Sequence, residues 1–178
     1  MFKIIKKEPL NPSMTRMVIE APFVARKAMP GQFIILRVNE TGERIPLTIA
    51  DYDREAGTVT IIYQKVGKST LLLDEQEAGG YLMDFIGPLG KASELEGYKK
   101  AAVIGGGAGC AIAYPQAKAL HAMGTKVDMI AGFRDKDLII LENEMREASD
   151  RLIVMTDDGS NGNKGFVTAA LQKNIDEG

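Results

Sequence analysis

The sequence predicts two domains of different class: an antiparallel β-barrel, then an α/β doubly wound parallel-sheet domain that is C-terminally incomplete. Three observations predict this. The first half is a series of short segments rich in Ile, Val, Phe or Tyr, separated by turn residues. The second half changes to apolar strands alternating with segments of helical period. Between the first of those strands and the first of those helices lies a glycine run, Gly105-Gly106-Gly107-Ala108-Gly109.

The barrel strands are read in order at residues 2–8, 14–20, 32–38, 45–50, 58–64 and 81–86. Asn11-Pro12, Pro30-Gly31, Glu40-Thr41-Gly42-Glu43, Glu55-Ala56-Gly57 and Gly79-Gly80 separate them, and all are turn or breaker chemistry. One short helix is expected at residues 69–75. Six short strands at this spacing suit a small barrel. Gly87-Pro88-Leu89-Gly90 and a charged stretch then interrupt the pattern. The boundary is therefore placed between Gly87 and Lys100, giving domains 1–96 and 97–178.

In the second domain, residues 101–104 form a continuous apolar strand that runs into the glycines. Ala111, Ala119 and Met123 follow at helical spacing, ending near Gly124. Residues 126–131 are the second strand. Leu138, Leu141, Met145 and Ala148 fall on one face of a second helix. Residues 151–155 are the third strand, and Phe166, Val167, Ala170, Leu171 and Asn174 line a third helix.

Composition excludes several function classes. Lys plus Arg is 22 against 24 for Asp plus Glu, a net charge of −2, without the basic excess of a nucleic-acid binder. Trp is absent and aromatics are 6%, which offers no stacking platform for bases. A single Cys excludes an internal disulfide and a multi-cysteine zinc or iron–sulfur site within these residues. The N-terminus lacks the apolar core of a signal peptide, and the longest apolar stretch, 101–115, is short and glycine-rich. The expected setting is the cytoplasm.

A strand, a glycine turn and a helix place backbone N–H groups at a positive helix end, which suits a pyrophosphate. Here Cys110 stands where the dinucleotide fingerprint has its third glycine. A tight turn that needs glycine only for its geometry therefore stays open as an alternative. The acidic residue expected ~20 positions later is not evident. Asp157-Asp158 instead follow the third strand. A carboxylate there would accept from a ribose hydroxyl and repel a 2′-phosphate, or would simply sit in a solvated turn.

Several strings, in this order, resemble the ferredoxin-NADP reductase family. They are Pro30-Gly31-Gln32-Phe33, Arg44-Ile45-Pro46-Leu47-Thr48, Gly67-Lys68-Ser69-Thr70, Gly87-Pro88-Leu89-Gly90 and the 105–109 loop. The resemblance covers essentially the whole chain. Pro46 and the 156–166 segment are most similar to one branch. It comprises the electron-transfer subunit of dihydroorotate dehydrogenase, the sulfide dehydrogenase beta subunit and the small subunit of NADH-dependent ferredoxin:NADP oxidoreductase.

The resemblance implies an FAD-binding barrel and an NAD(P)-binding second domain. Arg44 would fork onto the FAD pyrophosphate, or else pair at the surface with Glu40 or Glu43. Pro46 would keep Ile45 extended and present the backbone that follows, at Leu47, to the isoalloxazine edge. Thr48, the one catalytic candidate, would donate to flavin N5, or is simply a β-branched strand residue. Ile62, Tyr63 and Gln64 would contact the flavin and its ribityl or adenosine parts, although Tyr63 reads equally as barrel core or surface. Gly67, Ser69 and Thr70 would approach phosphate, and as a plain helix N-cap Ser69 and Thr70 would look identical from sequence. NADH would lie over Gly105, Gly106, Gly107 and Gly109, with Asp157 favouring NAD(H) over NADP(H). Hydride transfer between nicotinamide and flavin needs positioning rather than a protein acid or base. His121 and Cys110 are expected to be a late-helix residue and a packed thiol. No metal ligand is expected.

The resemblance also implies what this sequence lacks. Members of the branch continue with further strands and a four-cysteine 2Fe-2S site, whereas this sequence ends at Gly178 with Cys110 alone. No 2Fe-2S cluster is expected here, and the strand at 101–104 becomes a sheet edge to be covered by another chain, the barrel or the terminus. The leading function is hydride transfer from NAD(P)H to FAD and electron delivery to a partner subunit or acceptor. A non-catalytic flavin-binding or interaction module is the alternative, and a flavin-free sugar-nucleotide or phosphate binder is a third.

Overall fold

The computed structural model describes residues 1–177, which form two compact units, Met1–Ser93 and a second beginning at Glu94. The first unit contains β1 (Phe2–Asn11), β2 (Met14–Glu20), α1 (Pro22–Lys27), β3 (Phe33–Arg37), β4 (Ile45–Asp53), β5 (Thr58–Gln64), α2 (Lys68–Asp74), β6 (Tyr81–Leu82) and β7 (Asp84–Leu89). Its seven strands make one antiparallel sheet in the order β6-β1-β2-β5-β4-β3-β7. The end strands β6 and β7 are separated only by Met83, so the sheet curls round and nearly closes into a barrel. The alternation of β2, with Met17 and Ile19 buried and Arg16 and Val18 partly exposed, turns one face inward. Ile4, Met17, Ile34, Ile61 and Leu82 meet in that core with no exposed surface.

Helix α1 has no counterpart in the sequence reading. Six residues are too few to show a helical period. Local chemistry nevertheless fits: Pro22 opens the helix, where its missing N–H costs nothing, and Arg26 and Lys27 sit in the last turn. Val24 and Ala25 bury it against the barrel. Gly57 lets the β4–β5 hairpin approach, because a Cβ there would lie 3.0 Å from Pro22 Cβ. The strand read at 81–86 is two strands, β6 and β7, pairing at opposite ends of the sheet.

The second unit contains β8 (Lys100–Gly106), α3 (Cys110–Ala122), β9 (Lys126–Phe133), α4 (Glu142–Glu147), β10 (Arg151–Thr156) and α5 (Val167–Asp176). The three strands are parallel in the order β10-β9-β8. Helices lie on both faces, and two glycines show it. A Cβ on Gly105 would sit 2.9 Å from Cys110 Cα in α3, and one on Gly132 would sit 2.6 Å from Val167 Cγ1 in α5. Gly106 is the register partner of Gly132, so Gly105, one residue before it, faces the other way. Each glycine thus admits one helix to one face.

The helix expected across Leu138, Leu141, Met145 and Ala148 is shorter than its apolar pattern. Asp135 accepts from the Asp137 amide and caps a single 3₁₀ turn, Lys136–Leu138. Leu141, with φ of 56°, enters the left-handed region and starts α4 afresh. Leu141, Met145 and Ala148 are still buried, so the pattern reports burial correctly and helix length wrongly. Strand β8 forms one edge of the described sheet, with Ala102 and Ile104 exposed.

Candidate functional site

The barrel opens where β4 and β5 separate. β4 pairs with β3 from Ile45 to Thr48 (Phe33 with Thr48, Ile35 with Pro46, Leu36 with Ile45). Its pairing with β5 begins only at Ile49 and runs to Asp53. On β5, residues Ile62, Tyr63 and Gln64 pair with β2 instead. Two backbone stretches, 45–48 and 62–64, therefore flank a split in the sheet, each bonded on one side only. Pro46, exposed and without an N–H, suits such a margin. The candidate residues Ile45, Pro46, Leu47, Thr48, Ile62, Tyr63 and Gln64 all lie along it.

Charged and hydroxyl groups gather just before the 45–48 stretch. Arg44 Nη2 donates to Asp84 Oδ2 at 2.9 Å, and Arg37 Nε donates to the same oxygen at 2.8 Å. Neither neighbouring loop acid, Glu40 nor Glu43, is the recorded partner of Arg44. The Glu43 carboxylate instead accepts from Ser69 Oγ at 2.8 Å. That bond brings Glu43, the chain neighbour of Arg44, to the start of α2. Thr70 is engaged otherwise: its hydroxyl accepts from the Val66 and Gly67 amides and donates to the Gly67 carbonyl. It closes the first turn of α2 rather than facing outward.

Tyr63 and Gln64 differ sharply. Gln64 is exposed, whereas Tyr63 is buried and its hydroxyl donates to Asp74 Oδ1 at 3.1 Å. Thr15 donates to the same oxygen at 2.7 Å, Lys65 Nζ lies 3.6 Å from Oδ2, and Lys7 Nζ donates to the Asp74 carbonyl. Burial would raise the Asp74 carboxyl, but the Thr15 and Tyr63 hydrogen bonds and the two lysine charges outweigh it and hold it low. Burial, then the Asp74 charge, pushes the Tyr63 phenol up. The cluster fastens the C-terminal end of α2 to β2 and β5.

In the second unit the glycines divide by what the fold asks of them. Gly105 is required by the approach of α3, and Gly107 has φ of 51°. Gly109 has an ordinary helical conformation and would meet nothing within 4 Å of an added Cβ, and Gly106 would meet only the Gly132 carbonyl at 4.0 Å. Neither glycine is explained by packing. Both lie at the C-terminal end of β8, the side where open parallel sheets take ligands. Asp157 follows β10 at the same sheet end; it is exposed, with its amide bonded to the Phe133 carbonyl.

Cys110 is buried, and burial pushes its thiol up to about 12, which makes it a packed, unreactive group. His121 Nε2 lies 3.9 Å from Asp150. No group of metal-ligating side chains occurs among the described residues, and no helix among them is long and apolar enough to cross a membrane. The sequence reading set Glu43 beside Arg44, whereas Arg44 pairs with Asp84 and Glu43 with Ser69, two contacts which that reading did not contain. Asp84 lies just ahead of the Gly87-Pro88-Leu89-Gly90 string, but its link to Arg44 depends on strand register, which no local pattern reveals.

A nearly closed antiparallel barrel followed by a parallel α/β unit is the architecture of ferredoxin reductase-like proteins. The solved NADH-dependent reduced ferredoxin-NADP oxidoreductase superposes with a TM-score of 0.91 at 42% identity, covering 97% of this chain and 62% of that one. No protein-family model matches. A Clostridium beijerinckii protein described as an uncharacterized protein in the adh 3′ region is 51% identical over 97% of this chain and 61% of its own length. The electron transfer subunit of dihydroorotate dehydrogenase B (NAD(+)) from Streptococcus mutans is 35% identical over 97% of this chain and 67% of its own length. The chain belongs to the family of dihydroorotate dehydrogenase B electron-transfer subunits. It spans about three fifths of the length of the first of these relatives.

Proposed function

We propose that this chain is an NAD(P)H-dependent flavoprotein module that takes FAD in the barrel and a nicotinamide nucleotide on the second unit. In this reading it passes electrons to a partner subunit or acceptor in the cytoplasm. The observation that carries the reading is the split between β4 and β5. It leaves backbone edges at 45–48 and 62–64 available to a planar ligand, and the 45–48 edge begins directly after Arg44 and the Ser69-bonded Glu43.

The donor set fits FAD. Arg44 keeps guanidinium donors beyond the one given to Asp84, and its side chain is 55% exposed, so it can fork onto a pyrophosphate. Ser69 already holds an anionic oxygen, the Glu43 carboxylate, which stands in for a phosphate oxygen. Thr48 lies on the available stretch of β4, where its hydroxyl can donate to a flavin ring nitrogen. Gly67 would meet nothing within 4 Å of an added Cβ, so it lets a ligand come close. Gly106 and Gly109 do the same for a nicotinamide nucleotide, and Asp157 would accept from a ribose hydroxyl and repel a 2′-phosphate. Bound FAD would supply the redox chemistry, accepting hydride from the nicotinamide and releasing electrons onward. The chain's own residues bind, orient and exclude water.

The visible spectrum of the purified chain tests this, before and after anaerobic addition of NADH or NADPH. Flavin bands that bleach faster with NADH are expected. Absence of flavin bands after incubation with FAD overturns the reading. Bands that persist with both nucleotides leave flavin binding and remove the reductase activity, the outcome that favours a flavin-binding module without catalysis. Faster bleaching with NADPH overturns the role given to Asp157.

A further inference from the structure

We infer that Asp84 is a positioning residue for Arg44, setting the orientation in which that guanidinium meets an anionic ligand. The inference rests on the reading of Arg44 as a phosphate ligand. Three adjacent strands carry the argument. Arg37 on β3 is the register partner of Asp84 on β7, and β3 pairs on its other side with β4, with Leu36 opposite Ile45. Arg44 precedes Ile45 and so lies beside Arg37 in the same row. Two guanidiniums side by side repel each other. Asp84 resolves the conflict by accepting from both on one oxygen, at 2.8 and 2.9 Å.

The two arginines are not equivalent in this arrangement. Arg37 is the sheltered member, its side chain 20% exposed against 55% for Arg44. Arg37 fixes the Asp84 rotamer, and Asp84 in turn holds one edge of Arg44. A guanidinium is planar, so fixing one N–H direction fixes the plane of the others. Those remaining donors face an anion in a preset geometry, which reduces the ordering cost of binding. The three side chains together carry a charge of +1, with the cation at the exposed end.

A bare charge argument makes the opposite prediction. If Asp84 acted only as a nearby negative charge, its removal would strengthen anion binding. The sign of the effect therefore decides the matter. The experiment measures binding of FAD and of riboflavin, which lacks phosphates, to the full chain and to its Asp84→Asn, Arg44→Ala and doubly substituted variants. Asp84→Asn is expected to weaken FAD binding roughly tenfold, leave riboflavin unchanged, and have no effect on FAD in the Arg44→Ala background.

Unchanged or tighter FAD binding by Asp84→Asn overturns the inference, as does an equal loss for riboflavin, which would mark general damage to the barrel. If Arg44→Ala itself leaves FAD binding unchanged, the reading of Arg44 fails and takes this inference with it. Should Asp84→Asn not fold, Asp84→Glu decides. It keeps the charge and displaces the carboxylate by one methylene, so weaker FAD with unchanged riboflavin supports positioning, and unchanged FAD overturns it.

Discussion

Tyr63 and Thr15 bring their hydroxyls to one oxygen of Asp74, so the loss of either weakens the seat of α2 without emptying it. Tyr63→Phe should destabilise the chain by about 1 kcal/mol near neutral pH, measured by urea unfolding. The pH dependence follows from the carboxyl that these groups hold low. A depressed native value means that the Asp74 contribution is present above the usual carboxylate range, near pH 3.9, and is lost as pH falls through the native value. The gap between Tyr63→Phe and the wild-type chain should therefore narrow in acid. A gap that stays constant down to the acid transition would show that the phenol acts through packing instead. Candidate residues could be proposed from sequence where the chemistry is local. Arg44 followed by Pro46 and Thr48, or Gly67 followed by Ser69, could be read from the string. The partners of Tyr63, Ser69 and Arg44 were not, because Asp74, Glu43 and Asp84 reach them through folding rather than through spacing.

Among the elements, the turn from β8 into α3 separates glycines that serve the fold from those that do not. Gly105→Ala would place a methyl group 2.9 Å from Cys110 Cα and 3.1 Å from Ala113 Cβ, so strand and helix must part. A loss of about 1–3 kcal/mol is expected. Gly109→Ala meets no atom and keeps a helical φ of −62°, so stability should hold or rise slightly. Nucleotide binding should nevertheless fall, because the methyl group takes the space over which the ligand would lie. Thermal unfolding and NADH titration of the two variants check both halves. Gly109→Ala with unchanged NADH affinity would remove this loop from the site. Elements themselves were legible when long and periodic. Short α1 showed no period, and the apolar face ending in α4 concealed a left-handed break at Leu141, because burial and helix length are independent properties.

At the level of the whole molecule, the change of periodicity from two to 3.6 was legible and marks a real change of architecture. The barrel core, from Ile4 to Phe85, draws on no residue beyond Ser93. Residues 1–93 alone should therefore fold, giving a β-rich circular dichroism spectrum with a cooperative thermal transition, and should bind FAD without responding to NADH. A fragment that remains unfolded would show that the barrel depends on the rest of the chain.

The Glu43–Ser69 contact has a consequence for how the barrel would fill. A phosphate that takes Ser69 has to displace a carboxylate already bonded there, so loading is an exchange of anions rather than an addition to a bare hydroxyl. The displaced anion is covalently tethered. Its effective concentration is set by the 40–44 loop and not by the solution. Dialysis and dilution, which carry away a released ligand, leave this rival in place, so Ser69 in an emptied site would keep an acceptor supplied by the chain itself.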